Sequence, residues 1–297
     1  MRILLLCAAD INGCINLNRL LTALSGKHNL SVMLSSLELP CERGNAFADK
    51  KIWCERDFLL NELFPQLDAL PESDAELLTF AGLSKRWNVP IQRIDATRAM
   101  ACLHEHADVF KPDLVFCCRF DYIIRKELFA RPGLLGAFNL HSGLLPKCAG
   151  PDATFWAMYN KWSFSGCTIH NITEEIDGGD IIAEAKFELD YRYSVLWNRM
   201  HAYEHGLDAF ETLVERLEQG LPLHSHAQDK TQRHYYPFPS LTDFSAFRNQ
   251  GGRLIGIPQY VHLLQRFLPS GMALPKQAGC GLASSKTKRF HNSYIVL

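Results

Sequence analysis

The stretch that decides the fold of this chain runs from Phe138 to Ile182 and reads FNLHSGLLPKCAGPDATFWAMYNKWSFSGCTIHNITEEIDGGDII. Apolar residues lead into Asn139 and His141, and because side chains alternate along an extended segment, these two should project from the same side of a strand end. An asparagine offers a neutral N–H donor for a developing oxyanion, and a histidine can pass a proton or stand as a cation. The stretch therefore predicts a polar site at the end of a strand.

A carboxylate that would complete this pair follows in the turn of residues 176–180, IDGGD. Its two glycines permit the tight backbone path that would bring Asp177 back toward His141. Together with Asn139, these residues predict an acyl-transfer site. Taken singly, each also has a plain structural explanation, because Asn-x-His is typical of a strand end and Asp-Gly-Gly of a turn.

Further motifs follow this strand end in one frame. In chain order they are Leu144-Leu145-Pro146, Gly150, Gly166-Cys167-Thr168-Ile169-His170 and Asp177-Gly178-Gly179. Several ordered motifs are more specific than any single pattern. With Asn-x-His before them, the chain resembles the 10-formyltetrahydrofolate-dependent formyltransferases, which include the glycinamide ribonucleotide, methionyl-tRNA and amino-sugar enzymes. The resemblance covers residues 110–190 closely, residues 1–110 more loosely and the remainder hardly at all.

The fold expected from the chain is α/β, a doubly wound and mostly parallel sheet of the Rossmann-like formyltransferase type with a small C-terminal subdomain. An apolar strand at residues 2–9, a helical repeat from Leu17 to Leu24 and a strand at residues 30–34 form a crossover unit, which requires a parallel sheet. We expect three parts: a catalytic domain over residues 1–190, a long connecting helix over residues 191–219, and a small C-terminal subdomain and tail over residues 220–297.

The resemblance implies an enzyme that moves a formyl group from 10-formyltetrahydrofolate to an amine or hydroxylamine nitrogen of a small metabolite, such as an amino sugar or an ornithine-type precursor. In that family's chemistry Asn139 donates to the oxyanion, His141 stabilises the charge and relays the proton, and Asp177 orients or charges His141 with help from a water. The formyl donor is the cofactor, and no metal is expected.

Contacts to the folate are predicted by the same resemblance. The candidates are Phe120, Tyr122, Ile123, Ile124, Ile172, Thr173, Glu174 and Glu175, and ordinary core packing explains the first four equally well. The turn predicted over residues 10–16 precedes a helix N-terminus, where Asn12 and Gly13 would hold an anionic group of the substrate. A plain turn is the alternative there.

The chain departs from the family pattern at two positions, and the second of them bears on the acceptor. Gly143 stands where many members carry a serine, which leaves the three polar side chains in place. Ala149 stands in a loop where the methionyl-tRNA enzymes carry a second basic residue, which favours a small acceptor. A tRNA enzyme, a hydrolase that uses water as the acceptor and a non-catalytic folate-binding module remain the alternatives.

Charge is distributed unevenly along the chain. The net charge of the whole chain is −1. From residue 221 onward the chain has nine Lys or Arg and two acidic residues, so its net charge is +7 there and −8 in the residues before. A basic C-terminal third suggests tRNA, a phosphorylated substrate, a folate tail or a surface that faces the acidic N-terminal part.

A zinc peptidase is the alternative from another class. Residues 201–205 read HAYEH, which matches a His-x-x-Glu-His pattern. His201 and His205 fall opposite the apolar stripe of the helix predicted over residues 192–219, so we expect them in solvent and metal-free. No glutamate follows Glu218 to supply a further ligand. The pairs His104/His106 and His224/His226 are equally weak as metal sites.

Composition limits the classes of protein to which this chain can belong. A chain of 297 residues with 47% hydrophobic composition can bury a large core, and it contains no transmembrane-like run. Its ten cysteines form no Cys-x-x-Cys pair, so we expect buried free thiols in a cytoplasmic protein without contact to a membrane. The Ser and Asp of residues 71–74 predict an N-cap for a helix over residues 75–87, and the last fifteen residues are expected to form a loose tail.

Overall fold

The computed structural model describes residues 1–36, 46–71 and 73–275. The tail predicted for the last fifteen residues lies outside the described residues. So do four cations of the basic C-terminal third: Lys276, Lys286, Lys288 and Arg289.

A seven-stranded sheet forms the centre of the described chain. Its strands are β1 (Arg2–Ala8), β2 (Asn29–Ser35), β3 (Ile91–Arg93), β4 (Leu114–Cys118), β5 (Gly136–His141), β6 (Phe164–Asn171) and β7 (Ile181–Glu188). They lie in the order β3-β2-β1-β4-β5-β6-β7. The pairs from β3 to β5 are parallel, and β6 runs antiparallel between β5 and β7. The predicted mostly parallel α/β fold is confirmed.

Helices connect the strands and cover the sheet. They are α1 (Ile11–Leu24), α2 (Ala46–Ile52), α3 (Phe64–Asp68), α4 (Phe80–Trp87), α5 (Ala99–Phe110), α6 (Lys126–Phe129), α7 (Ala153–Tyr159), α8 (Val195–Glu218), α9 (Leu241–Asn249) and α10 (Ile257–Gln265). Two π-helical turns, Trp53–Asp57 and Leu59–Leu63, continue the helical run from α2 into α3. None of the described helices is long and apolar enough to span a membrane.

The long helix α8 packs against the sheet with the apolar stripe that its sequence predicts. Phe210 of α8 is fully buried and stacks on Phe116 of β4, with ring centroids 3.5 Å apart. Gly206 allows a close approach, because a Cβ there would lie 2.3 Å from Leu140 of β5. This contact fixes α8 against the strand that carries Asn139 and His141.

The C-terminal helices share the core of the sheet domain. Phe244 and Phe247 of α9 surround Phe155 of α7, and Tyr260 of α10 donates its hydroxyl to the Cys54 carbonyl at 2.6 Å. Both helices therefore pack into the same apolar cluster as α7 and α8. The domain boundaries inferred from the sequence remain a prediction.

Two local predictions are wrong. Residues 10–16 do not form a turn, because Asp10 caps α1 by accepting from the Gly13 amide at 2.8 Å, so the helix begins at Ile11. The N-cap of α4 is Thr79 and not the Ser or Asp near residue 73. The Thr79 hydroxyl accepts from the Gly82 amide at 3.0 Å, which starts this helix five residues later than the sequence suggested.

Replacing Phe210 by alanine should lower the free energy of unfolding by about 3–5 kcal/mol, because it removes a fully buried ring and leaves a cavity beside Phe116. Val109 of α5 is 85% exposed, and Val109→Ala should change stability by less than about 0.5 kcal/mol. Urea unfolding of both variants measures the difference. Equal small effects would mean that α8 does not pack on β4 as described.

Candidate active site

A cavity of about 480 Å³ opens at the carboxyl ends of β4 and β5. Open parallel sheets place ligand sites at this edge. Asn139, His141 and Asp177 all line the cavity, so the structure brings together the three side chains singled out in the sequence. Their chemical roles remain predictions.

His141 lies between a carbonyl and a carboxylate. Its Nε2 is 2.6 Å from the carbonyl oxygen of Cys148, and its Nδ1 is 3.7 Å from Oδ2 of Asp177. Because a carbonyl only accepts hydrogen bonds, Nε2 must carry a proton and donate it to Cys148. Nδ1 then faces the carboxylate across a gap that one water can bridge, and a second proton there makes the ring a cation beside Asp177.

Sequence reasoning misses the role of a second histidine, His170. Its Nδ1 donates to the Asn171 carbonyl at 2.9 Å, and Nε2 can therefore accept from Nδ2 of Asn139 at 3.1 Å. Within the described residues the second N–H of the Asn139 amide has no partner, so it can serve a ligand. A correct pairing of β5 with β6 would have revealed this contact, because Asn139 and His170 are directly paired residues of these antiparallel strands.

The Asp177 carboxylate is held from several sides. Oδ2 accepts from the Gly150 amide at 2.9 Å, and Oδ1 lies 3.5 Å from Nε2 of His170. Burial alone would raise the pKa of Asp177, but His141, His170 and the Gly150 amide outweigh it, so the pKa lies well below its ordinary value. Asp177 is therefore an anion at neutral pH.

The turn that carries Asp177 is shaped by the residue itself and by one glycine. Asp177 adopts the left-handed conformation with φ of 50°, which aspartate tolerates better than most residues. Gly179 has no room for a side chain, because a Cβ there would lie 2.0 Å from the Asn171 carbonyl oxygen. Gly179 is thus needed for the close return of the chain to β6.

A network of six buried or half-buried charged side chains, four of which line the cavity, was not predicted from the sequence. Its members alternate in sign: Asp10, Arg119, Glu55, Arg199, Asp152 and Lys51. Lys51 Nζ lies 2.7 Å and Arg199 Nη1 2.9 Å from the Asp152 carboxylate. The three cations pair with the three anions, and this pairing offsets the free-energy cost of burying charged groups.

Two groups near the cavity have shifted pKa values, one because of the network and one because of burial. Burial alone would raise the pKa of Asp152, but Lys51 and Arg199 lower it well below its ordinary value. Burial raises the pKa of Tyr203 to about 12. The tyrosine hydroxyl therefore stays neutral and able to donate at neutral pH.

Most of the predicted folate contacts line the cavity. They are Phe120, Tyr122, Ile123, Ile124, Ile172, Thr173 and Glu175. Glu174 does not line it, and its side chain is exposed on the turn before Asp177. Tyr235 and Phe238, which follow α8, line the cavity as well.

Asn12 and Gly13 are not brought to this cavity. Both lie in the first turn of α1, where Asn12 is 1% exposed. Gly13 packs on β1 so closely that a Cβ would lie 2.0 Å from the Ala8 carbonyl oxygen. The predicted substrate contact of these residues is therefore unsupported, because the expected turn is a packed helix.

His201 and His205 lie outside the cavity on α8. His201 is exposed and contacts Glu204 at 3.1 Å, and the half-buried His205 stacks on Phe187. Their rings are 4.8 Å apart. No group of three or more His, Cys, Asp or Glu residues that could hold a metal ion occurs in the described part of the chain.

The central part of the chain matches a known protein family. Residues 92–210 match the family model described as "Formyl transferase". The methionyl-tRNA formyltransferase of Borrelia duttonii is 32% identical over 111 residues, which is 37% of this chain and 34% of that protein. The chain spans about a third or less of the length of the first curated relatives that it matches.

Solved structures share the fold over a larger part of the chain. Phosphoribosylglycinamide formyltransferase from Anaplasma phagocytophilum matches with a TM-score of 0.54 at 16% identity, covering 80% of this chain and 99% of that chain. The N-formyltransferase from Helicobacter canadensis, in complex with folinic acid and dTDP-3-aminofucose, matches with a TM-score of 0.52 at 17% identity, covering 80% and 71%. These structures show that the fold is shared, and residues 92–210, which contain the motifs gathered at the strand ends, are the part of the chain that is similar to the formyltransferase family.

Proposed function

We propose that this protein transfers a formyl group from 10-formyltetrahydrofolate to the amine or hydroxylamine nitrogen of a small molecule. The observation that carries the proposal is the convergence of Asn139, His141 and Asp177 on one cavity at the strand ends. All three lie inside the segment that matches the family.

The residues divide the work of an acyl transfer. The acceptor nitrogen forms a bond to the formyl carbon, and the bond from that carbon to the folate nitrogen breaks. The free N–H of Asn139 donates to the oxyanion that forms between these two events. A proton leaves the attacking nitrogen and reaches the departing folate nitrogen, and His141 relays it, directly or through a water.

Asp177 would orient His141 for this proton relay and stabilise its charged form. Its carboxylate is anionic and lies on the Nδ1 side of the ring, while the Cys148 carbonyl holds Nε2. An anion on one side and an acceptor on the other stabilise the imidazolium form that appears during proton transfer.

One wall of the cavity suits a folate. Phe120, Ile124 and Ile172 give this wall an apolar surface, beside the polar end of β5. Pockets for flat ligands combine such surfaces with a few directed polar groups. The Helicobacter canadensis neighbour, which was solved with folinic acid, supports a folate as the formyl donor.

The charged end of the cavity would then receive the acceptor. Lys51, Arg119 and Arg199 point to recognition of polar groups, but each is already paired with a carboxylate. A balanced network recognises hydrogen-bonding groups of a small metabolite better than a chain of phosphates. A small amine is therefore the acceptor that this end of the cavity favours.

The described cations after residue 221 are also partly engaged. Lys230 and Arg233 both contact Glu175, and Arg266 pairs with Glu76. Cations that hold carboxylates are less available to neutralise phosphates. This is a second reason to prefer a small acceptor over tRNA.

Replacing Asn139, His141 or Asp177 by alanine should slow release of tetrahydrofolate from 10-formyltetrahydrofolate by about 10²- to 10⁴-fold, because each change removes a donor or a part of the proton relay. The matched control is the double variant His201→Gln/His205→Gln, which lies outside the cavity and should keep wild-type activity.

The outcome separates the alternatives. Full activity of the alanine variants would contradict the proposed roles. Binding of the folate by the wild type without release of tetrahydrofolate would identify a binding module. Stoichiometric zinc that is lost, together with activity, in the His201→Gln/His205→Gln variant would identify a metalloenzyme.

Salt dependence distinguishes small acceptors from tRNA. Binding that neutralises several phosphates should weaken by roughly a decade per decade of salt for each phosphate, whereas formylation of a small amine should change little. We expect salt-insensitive formylation of a small amine. Tight, salt-sensitive binding of initiator tRNA, with formylation faster than for any small amine tested, would contradict it.

A further inference from the structure

A segment after α8, residues 226–236, borders the cavity through Tyr235, and we call it the strap. It begins with a two-way hydrogen-bonded bridge to β7, in which His226 and Ile181 exchange bonds of 2.9 and 3.0 Å. Neither the motifs nor the charge pattern of the sequence singled it out for contact with the reacting groups.

The strap first holds the turn that carries Asp177. Gln228 donates through Nε2 to the carbonyls of Asp177 and Gly179 at 2.8 and 2.7 Å. Arg233 donates to the carbonyls of Asp177 and Ile176 at 3.2 and 2.6 Å. Two side chains thus hold the carbonyls of residues 176, 177 and 179, in a turn in which Asp177 has a left-handed backbone.

The strap then holds the loop that follows β5. His234 donates its amide to the Pro146 carbonyl at 3.1 Å and accepts from the Ala149 amide at 3.0 Å. Tyr236 donates to the Ala149 carbonyl at 2.8 Å. A Cβ on Gly150 would lie 2.1 Å from the Tyr236 carbonyl oxygen, so this loop and the strap are in direct contact.

Both of these loops contact the proposed reacting groups. The loop after β5 provides the Cys148 carbonyl that accepts from His141 and the Gly150 amide that donates to Asp177. The turn provides Asp177 itself. The strap is therefore bonded to Asp177 directly and to the loop whose Cys148 carbonyl holds His141, and the facing atoms of these two side chains are 3.7 Å apart.

We propose that the strap is a positioning element for formyl transfer, in which Gln228 and Arg233 fix the Asp177 carboxylate relative to the His141 ring. This rests on the proposed function. Neither residue touches the reacting atoms, so they act through the main chain of the turn. A displacement of about 1 Å in such a group can slow a reaction by about 100-fold, which is why a fixed turn matters.

The test compares two glutamines of the strap. Gln228→Glu keeps the size of the side chain but replaces its donor by an oxygen that repels the Asp177 and Gly179 carbonyls. Gln232→Glu makes the same change at an exposed residue whose side chain, among the described residues, bonds only Asp229. We expect kcat to fall by about 10- to 100-fold in the first variant, with KM for the folate unchanged, and to stay at the wild-type value in the second.

The Asp177→Ala background shows whether the effect passes through Asp177. If Gln228 acts by positioning that carboxylate, then adding Gln228→Glu to Asp177→Ala should cause no further loss of kcat. The proposal would be overturned if Gln228→Glu lowered kcat in the Asp177→Ala background by the same factor as in the wild type. It would also be overturned if Gln228→Glu and Gln232→Glu had equal kcat. Arg233→Lys, which keeps one donor, should lose less activity than Arg233→Ala.

Hydrogen exchange keeps this test independent of the proposed activity. Amides of residues 173–180 should exchange faster in Gln228→Glu than in Gln232→Glu, whether or not the protein formylates an amine. Absence of wild-type formylation would refute the proposed function alone. Unchanged exchange in Gln228→Glu would refute the strap, because the turn would then hold its conformation without it.

Discussion

The buried Asp177 carboxylate is the constraint on which the site depends. An anion taken out of water is stable only where donors and cations surround it. Those groups come from different elements: His141 from β5 and the Gly150 amide from the loop between β5 and α7. The sheet, the loop and the turn must therefore assemble correctly before the carboxylate can be buried.

The cavity joins two environments with opposite properties. One part of its lining is apolar and borders the polar tip of β5, and another part belongs to a series of alternating cations and anions. Removing a single member of that network would leave an unpaired buried charge, which destabilises a protein far more than the intact network stabilises it. Such a network is rigid and electrically neutral, and it gives the cavity shape and hydrogen-bonding groups without a strong net field.

The sequence predicted what local pattern and ordered motifs determine. Strand alternation placed Asn139 and His141 on one side of β5, and the Asp-Gly-Gly turn brought Asp177 to them. The missing features depend on contacts between distant residues, such as Arg199 with Glu55 or Gln228 with the Asp177 carbonyl. No local rule pairs residues so far apart. The prediction of a turn over residues 10–16 failed for a local reason. Asp10 is the N-cap of α1, and this role competes with turn formation.

Transfer of a labelled formyl carbon tests the central claim most directly. The wild type is mixed with 10-formyltetrahydrofolate labelled with ¹³C in the formyl group and with a panel of small amines, and NMR follows the label. The account predicts that the label leaves the folate and appears as a formamide with the wild type but not with His141→Ala. Label that stays on the folate, or that both proteins release equally as formate, would contradict it.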